Sequence, residues 1–400
     1  MTPDETILRE TIVALAPLER RAGSVGEEQA AGWLSERLAR ANCATQVDKE
    51  QFLDGYAKVL GRLTQLSALA GLAALWDRRT RKLAAATAAT VAVAIADDVS
   101  NGPRVFRHAT TQAQSTWNVV ARCGDQTADQ TLVLLAHHDA APTGMIFDER
   151  LQARLGERFP GIIERIDTSL PLWWALLSAP ALVALGSARG RRGLIGVGAA
   201  GSLVGSAVLA DVARGPIVPG ANDNLTGVAL LVAFAERLRR APIDGLRVML
   251  VSCGAEEVLQ GGIHGFAQRH FGTLDRDHTW FVNLDTLGSP KLIMLEGEGP
   301  VVMEDYYDRG FRDLMARVAD RAGIPLRRGM RSRNSTDAVI PSRAGYPTAT
   351  LTSIDRYKAL SNYHRPSDVP ENVDYKTVRQ ALALTEALAR ELATNPWIAR

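Results

Sequence analysis

An α/β fold is predicted, with a mixed, mostly parallel central sheet, helices on both faces and two inserted apolar helical hairpins. Three observations predict it. Short apolar runs at 131–139, 246–254, 278–285, 290–297 and 346–353 each end in polar residues. Helical stretches at 225–240, 303–323 and 374–394 alternate with them. Four long uncharged stretches break the alternation. Apolar strands that alternate with helices indicate a sheet buried on both sides, whose functional residues collect at the carboxyl ends of strands.

The first elements are helical. Ser24 with Glu27 three residues on forms a capping box, and Ala30, Trp33, Leu34 and Leu38 fall on one face of the helix that follows. A packed surface helix is a sufficient reading of this segment. The uncharged stretches come next. Residues 63–76 and 83–96 flank the basic turn DRRTRK, and 170–188 and 193–210 flank RGRR. The second pair approaches the roughly 20 residues needed to cross a bilayer, and the first pair is shorter and rich in Ala. Their Gly and Ala content suits close helix contact in lipid. Bilayer contact through 63–96 and 170–210 is therefore expected, against a soluble four-helix subdomain or a homo-oligomer interface. If the hairpins span, the positive-inside rule puts both basic turns in the cytoplasm and the remainder outside. The acidic, polar start MTPDETILRETIV does not read as a secretory signal. That argues against the outside placement, and the alternative is a cytoplasmic protein whose hairpins dip into the inner face; both arrangements stay open. These divisions give a main domain at 1–58, 99–144 and 213–400, with insertions at 59–98 and 145–212.

The composition excludes some classes. Lys and Arg total 46 against 44 Asp and Glu, so no field of one sign marks a nucleic-acid partner. Cys43, Cys123 and Cys253 are odd in number and widely spaced, and are expected as buried apolar residues with no disulfide.

Five short motifs carry chemistry. His137-His138-Asp139 follows a strand; His137 and Asp139, two apart, share a side, and a carboxylate there would fix the imidazole's tautomer. Pro219 to Val228, with Asp223 at its centre, opens a helix, where an Asx turn or N-cap would serve equally. Glu256 and Glu257 follow the strand ending at Cys253, and inward-facing unpaired glutamates there would be costly. Asn283-Leu284-Asp285-Thr286 and Tyr363-His364-Arg365-Pro366-Ser367-Asp368 complete the set. Singly each has an ordinary structural explanation. Together His137, Asp223, Glu257, Asp285 and His364 offer nitrogen and oxygen ligands suited to two zinc ions that share one carboxylate.

In this order the motifs resemble the co-catalytic zinc peptidase family of bacterial leucyl aminopeptidases, aminopeptidase Y and glutamate carboxypeptidase. The resemblance spans about 1–58, 110–144 and 215–395. It implies that His137 and Asp285 hold one zinc, Glu257 and His364 the other, and that Asp223 bridges them. It makes Glu256 the general base and Asp139 the partner of His137, with a cis peptide at Asp223–Asn224. A peptide substrate and aminopeptidase activity are implied. Arg331, Arg333, Arg365 and Asp337 are candidates for reading a peptide's terminus, or ordinary surface charge. The alternatives are a one-zinc glutaminyl cyclase, a carboxypeptidase, or an inactive membrane receptor or scaffold. The segment between His137 and Asp223 is longer than the family's.

Overall fold

The computed structural model describes residues 2–394. Helices α1 (Pro3–Leu15) and α2 (Val25–Arg40) precede the edge strand β1 (Ala44–Leu53). Then come α3 (Tyr56–Trp76), α4 (Arg81–Val99) and α5 (Val105–Thr110), followed by β2 (Ala113–Gly124) and β3 (Thr131–His137). The short α6 (Arg150–Arg158) and α7 (Pro160–Arg165) lead to α8 (Leu172–Arg189), α9 (Arg192–Arg214) and α10 (Leu225–Arg240). Next stand β4 (Arg247–Cys253), α11 (Gly261–His270), β5 (Thr279–Leu284), β6 (Lys291–Glu298) and β7 (Glu304–Asp305). The chain closes with α12 (Arg309–Arg321), β8 (Arg327–Ser332), α13 (Val339–Arg343), β9 (Thr348–Ile354) and α14 (Tyr375–Thr394).

The strands form one mixed sheet in the order β1-β2-β4-β3-β5-β9-β6-β7, with β8 beside β6. Strands β4, β3, β5 and β9 are parallel to one another at its centre. Side-chain alternation divides the core into two layers. Leu132, Leu134 and Ala136 face α1, α2, α10 and α14, and Val133 and Leu135 face α11 on the opposite side. Central strands apolar on both faces are what a covered parallel sheet requires. The sheet therefore delivers His137, the segment after Cys253 and Asp285 to one edge of the molecule.

Two expectations are corrected here. Cys43 and Cys123 form a disulfide, and Cys253 alone is free and buried. Strands β1 and β2 pair with Ala44 opposite Arg122, so Cys43 and Cys123 meet at the start of that ladder although 80 residues separate them. Cysteine spacing along the chain carries no information about this register. The helix expected over 303–323 begins at Arg309, because Glu304 and Asp305 pair with β6 and Asp308 caps the helix on Gly310 N–H.

The two hairpins do not stand apart. Helices α3, α4, α8 and α9 pack into one bundle, α3 against α9 and α4 against α8. A Cβ on Gly198 would lie 2.6 Å from Ala179 O, and Ser67 and Ser202 hydrogen-bond across the α3–α9 contact at 3.0 Å. Small residues thus set the close approach. Three of the four helices, α3, α8 and α9, are long and apolar enough to cross a membrane. Only 28% and 33% of the apolar windows of α8 and α9 are buried, and Leu172, Trp174, Leu185, Val197, Leu203 and Val204 are exposed on them.

The disulfide predicts a thiol count. Denatured without reductant, the protein should show one reactive thiol, and three after reduction. Reduction should lower stability by roughly 2–4 kcal/mol, the usual range for a cross-link closing a long loop. Three thiols before reduction would exclude the bridge.

Candidate active site

His137, Asp223, Glu256, Glu257 and Asp285 each stand at a strand or helix terminus. His137 closes β3, Glu256 and Glu257 sit in the 3₁₀ turn just after β4, and Asp285 follows β5. Asp223 precedes Asn224, the N-cap of α10, and the Asp223–Asn224 peptide is cis, as the resemblance implies. His364 lies on the loop before α14 with φ 53°, a left-handed conformation that side chains rarely adopt.

These groups converge. Asp223 Oδ1 lies 3.4 Å from His137 Nε2, and Asp223 Oδ2 lies 3.2 Å from His364 Nε2. Glu257 Oε2 is 3.1 Å from the same His364 nitrogen. Donor atoms of His137, Asp223 and Asp285 all lie within 4.8 Å of one another, as do those of Asp223, Glu257 and His364. Asp223 is the member common to both groups. Glu256 stands at the edge, with Oε2 4.0 Å from His137 Nε2 and Oε1 accepting from Gln260 Nε2 at 2.8 Å.

The electrostatics are unbalanced. Four buried carboxyl groups, Asp223, Glu256, Glu257 and Asp285, share this space, and among the described residues none of them pairs with Lys or Arg. Burial pushes Glu256 well above the ordinary carboxyl range, Glu257 to about 7, and Asp285 upward. Burial would raise Asp223 too, but His137 and His364 outweigh it and hold it low. Burial alone would lower His364; Glu257 and Asp223 overcome that and push it up to about 10.

The donors fit a metal better than they fit hydrogen bonds. His137 Nδ1, both ring nitrogens of His364 and Glu257 Oε1 are buried without a hydrogen-bond partner among the described residues. The spacings of 3.1–3.4 Å match the roughly 3.3 Å between ligands on a tetrahedral ion with bonds of about 2.0–2.1 Å. Imidazole nitrogens and carboxylate oxygens are zinc donors.

The motifs brace one another. Asp139 is fully buried; its Oδ1 and Oδ2 accept the Glu256 and Glu257 N–H groups, both at 3.0 Å, and Oδ1 lies 3.4 Å from His137 Nδ1. Asp368 accepts from Asn222 N–H at 2.7 Å and Asp223 N–H at 3.1 Å. Asn224 Oδ1 accepts from Gly227 and Thr286 N–H, and its Nδ2 donates to Leu284 O. Gly227 is required here, because a Cβ would lie 2.4 Å from Leu284 O.

Four residues of this assembly had no role in the sequence reading. Glu27, expected on a surface helix, is buried; it accepts from Thr116 Oγ1 and Ala255 N–H, both at 2.8 Å, and so holds the Glu256 turn. Its capping-box spacing was visible, but nothing in it marks this second contact. Arg20 is fully buried and donates to His138 O at 2.9 Å and Pro219 O at 2.7 Å, clamping two motif loops. Gln260 orients Glu256. Phe147, from the second insertion, meets the His364 ring edge-on at 4.5 Å. The terminus-reading candidates lie elsewhere: Arg331 pairs with Asp305, Arg365 with Asp148, and Arg333 covers the Trp174 ring. Asp337 is the exception: it is buried beside the cluster, where burial pushes it up to about 7 and His137, Asp139 and Asp285 act on it.

Arg20→Met should destabilise the protein by on the order of 2–4 kcal/mol, since several buried carbonyls lose a charged donor. It should also weaken zinc binding, because the loops of His137 and Asp223 lose their common clamp. Denaturant unfolding and zinc titration would check this; unchanged zinc affinity would refute the clamp.

The comparisons follow this geometry. Solved structures with the same fold include a zinc aminopeptidase from Bacillus subtilis, with TM-score 0.54, 14% identity and coverage of 97% of this chain and 94% of that one. An aminopeptidase from Aneurinibacillus sp. strain AM-1 gives 0.54 and 14%, covering 97% and 93%. A glutaminyl cyclase from Tannerella forsythia gives 0.57 and 12%, covering 96% and 98%. No curated protein matches the chain. The sequence model of peptidase family M28 matches residues 203–389, which hold Asp223, Glu256, Glu257, Asp285 and His364. Over residues 203–389 the chain is similar to peptidase family M28, and it shares its fold with these aminopeptidases.

Proposed function

We propose that this protein is a two-zinc aminopeptidase held in a membrane by its helical bundle. The observation that carries the catalytic reading is Asp223, which turns one oxygen to His137 and the other to His364. His137, Asp223 and Asp285 would hold one ion, and Asp223, Glu257 and His364 the other. Bound there, the pair supplies an acidified water and polarises the scissile carbonyl. Glu256 takes a proton from the attacking water, which adds to the peptide carbonyl carbon. It returns that proton to the departing nitrogen as the C–N bond breaks. Gln260 holds Glu256 in place, and Asp139 holds the Glu256 turn beside His137.

The amino-terminal direction rests on charge. A carboxypeptidase needs a cation to receive the substrate's carboxylate. Among the described residues lining the cavity at Glu256 there is no Lys or Arg. A free substrate amine meets carboxylates there instead. The cyclase reading takes support from the shared fold, but the presence of two complete donor groups favours two metals over one.

The membrane reading rests on the bundle. Its apolar exterior ends in Arg78, Arg79, Arg81 and Lys82 on one hairpin and Arg189, Arg191 and Arg192 on the other. Cations at mid-bilayer cost about 2.5–3.5 kcal/mol each, so a bundle that enters lipid should carry these tips through to the far headgroups. The positive-inside rule then puts the tips in the cytoplasm and the catalytic domain outside. A disulfide between Cys43 and Cys123 suits that oxidising side. Residues 1–58, 99–144 and 213–400 form the catalytic domain in this reading, with 59–98 and 145–212 inserted.

Two experiments test these points. Glu256→Gln should retain zinc at the wild-type stoichiometry while peptide turnover falls on the order of 10²–10⁴-fold; wild-type turnover would remove Glu256 from the chemistry. In intact cells an impermeant maleimide should label Lys376→Cys but label Arg79→Cys only after permeabilisation. The reverse pattern would invert the topology, and release of the protein by an alkaline wash would end the membrane reading.

A further inference from the structure

Glu256, Glu257 and His364 form one end of a cavity of about 480 Å³ that continues into the helical bundle. Phe147 and Trp173 stand on its walls, followed by Leu176 of α8 and Val204 and Val208 of α9. Away from Glu256, Glu257 and His364, no charged side chain lines it among the described residues. Two lining residues also reach the outside: Val204 is 63% exposed and Leu172 44% exposed. The cavity therefore extends from the Glu256 end along α8 and α9, and its lining includes side chains exposed on the flank of the bundle.

What occupies such a space must present a polar reacting group at one end and little but apolar surface along the rest. Because the walls are continuous with Glu256, the occupant is the substrate itself. An aminopeptidase removes one residue, so a tail longer than a side chain lies on the leaving-amine side. We propose that the preferred substrate is an amphiphilic amide: an aminoacyl group with a free amine at the Glu256 end, and a long alkyl chain on the amide nitrogen between α8 and α9. This rests on the aminopeptidase reading above. Water is consumed, the amide C–N bond breaks, and the products are the free amino acid and a long-chain amine. With the bundle in a bilayer, the exposed flank at Val204 faces acyl chains, and such a substrate reaches the site laterally.

The test uses the zinc-loaded full chain in phospholipid nanodiscs, with leucine butylamide and leucine dodecylamide as substrates. A fully buried methylene is worth up to about fourfold. The dodecyl compound should therefore exceed the butyl compound in kcat/KM by at least tenfold. Simple partitioning into the disc would also favour the longer chain, so the long-to-short ratio is compared in Val208→Trp and Leu176→Trp, which fill the cavity. The ratio should fall at least fivefold in both. An unchanged ratio in the variants, or a flat chain-length profile with the butylamide still turned over, would overturn the proposal and leave the peptidase reading intact. An apolar peptide amide that gains where the alkylamide does not would overturn it as well. A binding measurement independent of turnover uses metal-free protein and a bromine-tagged dodecylamine. The tag should quench a tryptophan signal that is missing in Trp173→Phe, whereas equal quenching in both proteins would mean the chain does not enter. If neither substrate is hydrolysed, the aminopeptidase reading fails, and the quenching result still decides whether the cavity takes an alkyl chain.

Discussion

Asp223 gives one carboxylate oxygen to each of two imidazoles, and the rest of the molecule is arranged so that it can. A buried carboxylate between two histidines, with three more carboxyl groups close by, is a costly assembly when only protons neutralise it. The protein supplies no cationic side chain to the cluster among the described residues. It spends its charged donor, Arg20, on the backbone of the loops that carry His137 and Asp223. In the proposed reading dications complete the cluster, and its cost in the metal-free state is the counterpart of its affinity for them.

Three of the loops that carry candidate ligands are each held by a residue of a different motif. Asp139 beside His137 fixes the Glu256–Glu257 turn, Asp368 beyond His364 fixes the Asp223 loop, and Asn224 beyond Asp223 fixes Thr286 after Asp285. Glu27, from the second helix, holds the same turn from outside. This cross-bracing explains how groups far apart in sequence keep spacings of 3.1–3.4 Å. It also explains the left-handed backbone at Ala255, Thr286 and His364, which neighbouring contacts must impose.

Much of this was legible in the sequence, for definite reasons. The central strands are apolar on both faces, so their runs stood out, and the candidate ligands other than His364 fall next to a strand or helix end. Helix α10 was read at 225–240 and runs over those residues. Strand β1 was not legible, because it is polar along its length: Asp48 and Glu50 face His270 and Arg269 of α11 instead of an apolar layer. The Cys43–Cys123 bridge depends on the β1–β2 register, and Arg20 and Glu27 act through contacts more than a hundred residues away in sequence. The four apolar stretches were legible as helices, but their assembly into one bundle was not, since it is the pairing of α3 with α9 and α4 with α8 that closes it. That assembly places an apolar cavity against Glu256, a link between the insertions and the chemistry that neither insertion shows alone.

The central claim is that Asp223 bridges two zinc ions, and the most direct measurement is a crystal structure of the zinc-loaded protein with anomalous data at the zinc edge. The account predicts two peaks, one against each carboxylate oxygen of Asp223, the first shared with His137 and Asp285 and the second with Glu257 and His364. A single peak, or zinc bound away from Asp223, would contradict it.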